Sequence, residues 1–94
     1  MKSYSFMQSN PLSVRTGIVE RVRARRKEMG ITQQALAKKA AVSYGSIKRF
    51  EQTGEIALSS LIRIAFALGY ENDLEQLFSR RHYRSIQEII DEQH

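Results

Sequence analysis

Residues 32–51 read Thr-Gln-Gln-Ala-Leu-Ala-Lys-Lys-Ala-Ala-Val-Ser-Tyr-Gly-Ser-Ile-Lys-Arg-Phe-Glu. The stretch reads as two short helices joined by a tight corner. Thr32 is a good N-cap, because its hydroxyl can accept from a backbone N–H that the first helical turn leaves unpaired. Gln33 to Ala40 then supplies good helix formers, with Leu36, Ala37 and Ala40 on one face. Ala41 and Val42 cannot both be exposed, so the chain is expected to bend here and bury Val42. Ser43 is a second N-cap. The helix that follows, over 43–53, turns Ile47 and Phe50 inward and leaves Tyr44, Lys48 and Arg49 outside.

Working outward, residues 1–12 show no helical period and read as a flexible arm. Pro11 suits a position just before a helix or in its first turn. Val14, Ile18, Val22 and Met29 recur near helical spacing, predicting a first helix from about Ser13 to Met29 that Gly30 terminates. Its outer face carries Arg15, Arg21, Arg23, Arg25 and Lys27. Beyond Glu51, Gly54 ends the second short helix and a loop runs to Ala57. Leu58 to Leu68 is the most apolar stretch, with Ser59 or Ser60 as expected cap and Leu61, Ile64, Ala65 and Leu68 as one stripe. Ile62 and Phe66 lie on another side, as plain core or at a subunit interface. Gly69 ends that helix. A short fifth helix is expected over 71–78, capped by Asn72 or Asp73, with Leu74, Leu77 and Phe78 closing the core. In residues 84–94, Ile86, Ile89 and Ile90 fall at i, i+3, i+4 opposite acidic residues. A helix of about ten residues is marginal alone, so that face needs a partner. The expectation is an all-α chain: an arm (1–12), a compact five-helix domain (13–79) and a short helical tail (80–94).

Composition narrows the function. The 94-residue chain has no cysteine, and its histidines are His82 and His94, which excludes thiolate and histidine-rich metal sites. No cofactor is expected. No apolar run approaches the roughly 20 residues of a membrane span, and the start lacks a signal-peptide core, so a cytoplasmic protein is expected. Residues 1–55 hold 11 Lys/Arg and 4 Asp/Glu (+7), whereas residues 56–94 hold 4 and 6 (−2). A polyanion partner explains this segregation, since phosphate neutralisation releases condensed counterions; a solvated basic face would also explain it.

The spacing Gln33, Leu36-Ala37, Val42-Ser43, Ile47, Glu51, preceded by Gly30-Ile31-Thr32-Gln33, resembles the helix-turn-helix of the lambdoid phage repressors and Cro proteins, the XRE class of bacterial regulators. The resemblance covers roughly residues 14–78 and implies a lambda-repressor-like DNA-binding domain. Ala37 would sit at the helix crossing, over a small core of Leu36, Val42 and Ile47. One departure is Ala41, where the family often has Gly at a corner of positive φ; the corner is then either mildly strained or slightly different in path. The resemblance further implies a pair between Arg26 and Glu51 that ties the recognition helix to the core and aims Arg26 at phosphate. As a surface pair it would be worth only about 0–1 kcal/mol.

By the same resemblance, helix 43–53 enters the major groove of a double-stranded operator. The exposed candidates for DNA contact are Ser43, Tyr44, Gly45, Ser46, Lys48 and Arg49. Arg49 is favoured for a base, since a guanidinium can bond O6 and N7 of guanine together. Tyr44 could meet a thymine methyl or a phosphate, and Gly45 would permit close approach. Gln33 matches the family's phosphate clamp; Ser43, Ser46 and Thr53 suit phosphate rather than base contacts, and Lys38 is a further DNA-binding candidate. One domain covers half a site, so a homodimer on a palindrome is expected. Short members of the class with an appended tail resemble HipB-like antitoxins of type II toxin–antitoxin pairs. That implies an autoregulatory repressor with a kinase-like or nuclease toxin as partner. An autonomous regulator, or a protein-interaction module, stands beside it. No paired carboxylates, nucleophile–base pair or Gly-rich phosphate loop suggests an enzyme. Few exposed aromatics are available to stack single-stranded RNA, and the apolar face of the first helix is needed for the core rather than a membrane.

Overall fold

The computed structural model describes residues 9–81 and 90–91. Expectations for residues 1–8 and for most of the tail (82–89 and 92–94) lie outside the described residues. The described residues contain no strand; they form five helices, α1 (Pro11–Glu28), α2 (Gln33–Ala40), α3 (Tyr44–Thr53), α4 (Leu58–Leu68) and α5 (Glu71–Glu75), and residues 90–91 are helical as well. The all-α expectation holds.

Helix α1 starts two residues earlier than the apolar spacing suggests. Asn10 is the cap: its side chain accepts from the Ser13 N–H (2.9 Å), and the Ser13 hydroxyl accepts from the Asn10 N–H (3.1 Å). This reciprocal pairing satisfies two of the donors a helix start leaves free. Pro11 sits in the first turn, where its missing N–H removes no bond. Arg25, Arg26 and Lys27 occupy the last turn, where cations complement the helix dipole.

The corner between α2 and α3 shows what Ala41 does. It adopts the left-handed conformation, φ 57° and ψ 44°. The Val42 N–H reaches the Ala37 carbonyl (3.0 Å) and the Ala41 N–H reaches that of Lys38 (3.3 Å), closing the helix end. The family's path is thus kept, at a steric cost of roughly 1–2 kcal/mol for a residue with a Cβ. Thr32 and Ser43 cap as expected, accepting from Ala35 N (3.0 Å) and Ser46 N (3.1 Å). After α3 the chain turns at Gly54, φ 81°, where an added Cβ would lie 2.6 Å from Cγ and Cδ of Arg15.

Three sequence expectations are corrected further on. Neither Ser59 nor Ser60 caps α4: the Leu61 N–H bonds the Ala57 carbonyl (3.0 Å), so the first turn begins before either serine. Helix α5 stops at Glu75 instead of Phe78, and Asn72 and Asp73 lie within it; the position before it is Tyr70, which makes no side-chain cap. Tight turns follow, with Leu77 N–H bonded to Leu74 O (3.2 Å) and Phe78 at φ 62°. That path swings Leu77 (52% exposed) and Phe78 (94%) away from the core they were expected to close.

The core is Leu36, Ala37, Ala40, Val42, Ile47, Ile64 and Leu68, with Val22, Met29, Ile31, Ile56 and Ala67 packed around it. Leu36, Ile47, Ile64 and Leu68 are fully buried, and truncating any of them to Ala would cost about 2–5 kcal/mol. Helix α2 packs against both α3 and α4, with Ala37 buried as a crossing residue must be. Val14, expected inside, is exposed: the first turns of α1 overhang the core, and Val14 lines a groove with Ile18, Phe50 and Leu61 instead. Helix α4 is not buried all round. Ile62 is half-buried and Phe66 exposed, so Phe66 is not core.

Candidate nucleic-acid interface

Helix α3 is amphipathic by residue type and is held accordingly. Ile47, Phe50 and Glu51 are buried. Tyr44, Gly45, Lys48, Arg49 and Gln52 are exposed. The N-cap at Ser43 fixes where the helix begins, and Glu51 near its end fixes where it points.

Glu51 is the junction of three helices. Arg26 of α1 grips its carboxylate with both ends of the guanidinium fork, Nε to Oε2 at 2.8 Å and Nη2 to Oε1 at 3.0 Å. The third nitrogen, Nη1, donates to the Ile31 carbonyl (2.9 Å), at the corner before α2. Gln33, first residue of α2, donates its amide to Oε1 (2.9 Å). Arg23 adds a longer contact to Oε1 and another to the Glu51 carbonyl, both 3.4 Å. Burial alone would raise the carboxyl's pKa. The hydrogen bonds from Arg26 and Gln33, the Arg26 charge and the Arg23 contact outweigh it and hold the group below its ordinary value. The pair expected on the surface is therefore buried, with Arg26 8% and Glu51 4% exposed.

That geometry distributes the predicted contact residues unequally. Arg26 is committed at all three nitrogens and sits beneath the outer face, as an anchor. Gln33 spends one amide hydrogen on Glu51 and keeps the second, so it can hold the helix junction and donate outward together. The Thr53 hydroxyl donates to the Arg49 carbonyl (2.7 Å) and accepts from the Glu55 N–H (3.1 Å), which leaves it shaping the loop. The Ser43 hydroxyl accepts from Ser46 N–H and donates to Ser46 Oγ (2.8 Å), so the Ser46 hydrogen is the one left to point outward. Gly45 faces open space, with nothing within 4 Å of where a Cβ would stand.

The outer face of α3 carries free positive charge. Arg49 is exposed and makes no side-chain bond among the described residues, opening onto a polar cleft of about 300 Å³ that Ser46 and Ser60 also line. Lys48 rests its ammonium over the Tyr44 ring at 5.5 Å, which restrains both side chains. Lys38 is exposed in the last turn of α2. Glu55, the one acid in the loop after α3, is paired with Arg15 at 2.9 Å, so it faces an adjacent polyanion already neutralised.

Two arginines that sequence reasoning left in solvent are structural. Arg23 joins the Glu51 junction; its position three residues before Arg26, on the same helix face, is the signal that could have found it. Arg25 donates to the Leu68 carbonyl (3.1 Å), pairs with Glu28 and lies over the Tyr70 ring at 5.6 Å, tying α1 to the end of α4. That pairing needs the tertiary fold and has no local sequence signature.

Among the described residues no group of three or more His, Cys, Asp or Glu is arranged to hold a metal ion, and no helix is long and apolar enough to cross a membrane. No curated protein and no solved structure gives a significant match to the chain. The sequence profile of the helix-turn-helix family matches residues 22–71, more than half of the chain, spanning α2, α3, α4 and the Glu51 junction. With two capped helices, a small-residue crossing and an exposed basic face on the second of them, this chain belongs to the helix-turn-helix family of the lambda-repressor and Cro type, a family of DNA-binding transcription regulators.

Proposed function

We propose that the chain is a sequence-specific transcriptional repressor that binds a palindromic operator as a homodimer, with α3 lying in the major groove. The observation that carries this reading is the contrast between its arginines. Arg15, Arg23, Arg25, Arg26 and Arg63 are each engaged by a protein oxygen, while among the described residues Arg49, on the exposed face of α3, makes no side-chain bond; Arg21 is unbonded as well but lies on α1, so it is the place of Arg49 on the recognition helix that matters. Arg49 reads a guanine through its fork. Lys48 and Tyr44 act as a unit beside it. Lys38, Ser46 and the second Gln33 N–H take phosphates, fixing register without reading sequence.

A single domain reads one half-site. Two domains on half-sites about 34 Å apart would read a palindrome, and the exposed apolar side chains Phe66, Leu77 and Phe78 supply surface for such pairing. An autoregulatory antitoxin of a type II pair, similar to HipB, is the same reading with one more partner, a kinase-like or nuclease toxin. Exposed Leu12, Leu58 and Phe78 support a protein contact beyond the DNA face.

The test is selection of bound fragments from the host genome by purified protein, with co-purifying proteins identified in parallel. Enrichment of a palindrome upstream of the chain's own gene supports the repressor, and a stoichiometric toxin extends it to the antitoxin. A partner with no enriched DNA would leave an interaction module instead.

A further inference from the structure

Between α2 and α4 lies a groove of about 410 Å³ floored by Ala40, Ile62, Phe66 and Ala67 and rimmed by Lys39 and Arg63. Nothing in the DNA-reading face uses it. Phe66 is 60% exposed there, a large aromatic left in water in the last turn of the most apolar helix. Arg63 bonds the Ala41 carbonyl (3.2 Å), which fixes its guanidinium at the rim without neutralising its charge. The groove thus offers an apolar floor between two cations.

The chain itself contains a segment of the complementary kind. Residues 85–94 hold Glu88, Asp91 and Glu92 and no Lys or Arg. Ile86, Ile89 and Ile90 share one face at helical spacing, and on a helical wheel Glu92 flanks that face. Ile90 lies in the helical part of this segment and is 41% exposed, which leaves apolar surface for a partner. An amphipathic helix with an apolar stripe and an acidic border is what an apolar, cation-rimmed groove accepts.

We propose that the groove between α2 and α4 is the docking site for the C-terminal segment, residues 85–94, of a second copy of this chain. The exchange is reciprocal: each tail enters its partner's groove, an isologous arrangement that uses each surface twice. Ile89 and Ile90 cover Phe66 and Ile62, and Glu92 meets Lys39. This inference deepens the homodimer part of the proposed function by naming its interface. It does not depend on which sequence the dimer reads.

The experiment is sedimentation equilibrium on the full chain and on Phe66→Asp, Ile90→Asp and the double variant, with helical content and melting recorded for each. Both altered side chains are exposed, so the domain should fold. Each single variant is expected to raise the dimer dissociation constant by about 30-fold, the effect of losing an interface anchor, and the double variant should be little worse than either. Lys39→Glu should weaken the dimer in the same way, and adding Glu92→Lys should restore it. Four results would overturn the proposal. The wild type could be monomeric throughout, which sinks the dimer as well. Ile90→Asp could leave the dimer intact while Phe66→Asp breaks it, which would mean that two Phe66 faces pair directly. Neither variant could matter while the protein still dimerises, which removes this interface alone. Ile90→Asp could lower the melting temperature of a species of unchanged mass, which would place the tail on its own domain.

Discussion

Replacing Glu51 with alanine should damage this protein more than any other single change outside the apolar core. Arg26 is 8% exposed and, among the described residues, has Glu51 as its only carboxylate partner. Removing the carboxylate strands a charge where water cannot reach it, and breaking one partner of a buried pair costs about 3–5 kcal/mol. Gln33 and Arg23 lose an acceptor as well, but both are exposed enough to be rehydrated. Against this stands a domain of ordinary stability, roughly 4–10 kcal/mol at 0.05–0.15 kcal/mol per residue. With a urea slope near 1 kcal/mol/M for so small a domain, the midpoint should fall by about 3–5 M. The informative comparison is the double variant Arg26→Met/Glu51→Leu. It removes both charges together and leaves no orphan, so it should be more stable than Glu51→Ala by a clear margin. Urea melts followed by circular dichroism measure all three. A Glu51→Ala cost below about 1 kcal/mol, or a double variant as unstable as the sum of both singles, would refute the idea that Glu51 organises the junction.

The same junction predicts an acid response. A carboxyl held below its ordinary value in the folded state contributes stability above the unfolded glutamate's pKa, about 4.3, and loses it as pH falls through the lower folded value. Melting temperature should therefore drop below about pH 4.5 more steeply in wild type than in Glu51→Gln; parallel curves would remove the carboxylate from the explanation. At the α2–α3 corner, Ala41→Gly relieves a left-handed alanine of roughly 1–2 kcal/mol strain and gives back part of that through the more flexible unfolded chain. A net gain of up to about 1 kcal/mol, or some 4–8 °C in Tm, is expected by calorimetry, and destabilisation would show that the Ala41 methyl makes a contact of its own.

Much of this was legible from 94 residues because the information is local. Thr32 and Ser43 cap their helices whatever the rest of the chain does, and Leu36, Ile47 and Val42 can be placed inward from helical spacing alone. Arg26 and Glu51, twenty-five positions apart, were reachable through family likeness; their burial was not, because it depends on Ile31 and Gln33 closing over them. What failed was of two kinds. The apolar stripe of α1 begins after its first turn, so it does not point to Asn10; a cap is set by backbone donors instead of by hydrophobicity. By residue type Leu77 and Phe78 belong in the core and Phe66 either there or at a subunit interface, but the core is already filled by Ile64, Ala65 and Leu68 from the same region. A large side chain left over in so small a domain goes to the surface. At the DNA face, spacing identified which residues share the outer side of α3. It could not show that the Thr53 and Ser43 hydroxyl hydrogens were already spent.

The central claim is that Arg49 on α3 reads a base while the surrounding groups hold phosphate. It is tested most directly by measuring wild type and Arg49→Ala on the selected operator and on random duplex, across a series of salt concentrations. Arg49→Ala should cost about 1–3 kcal/mol on the operator and far less on random duplex, with wild-type affinity falling steeply as salt rises. Equal losses on both DNAs would reduce Arg49 to one more phosphate contact, and an affinity indifferent to salt would contradict DNA binding by this face altogether.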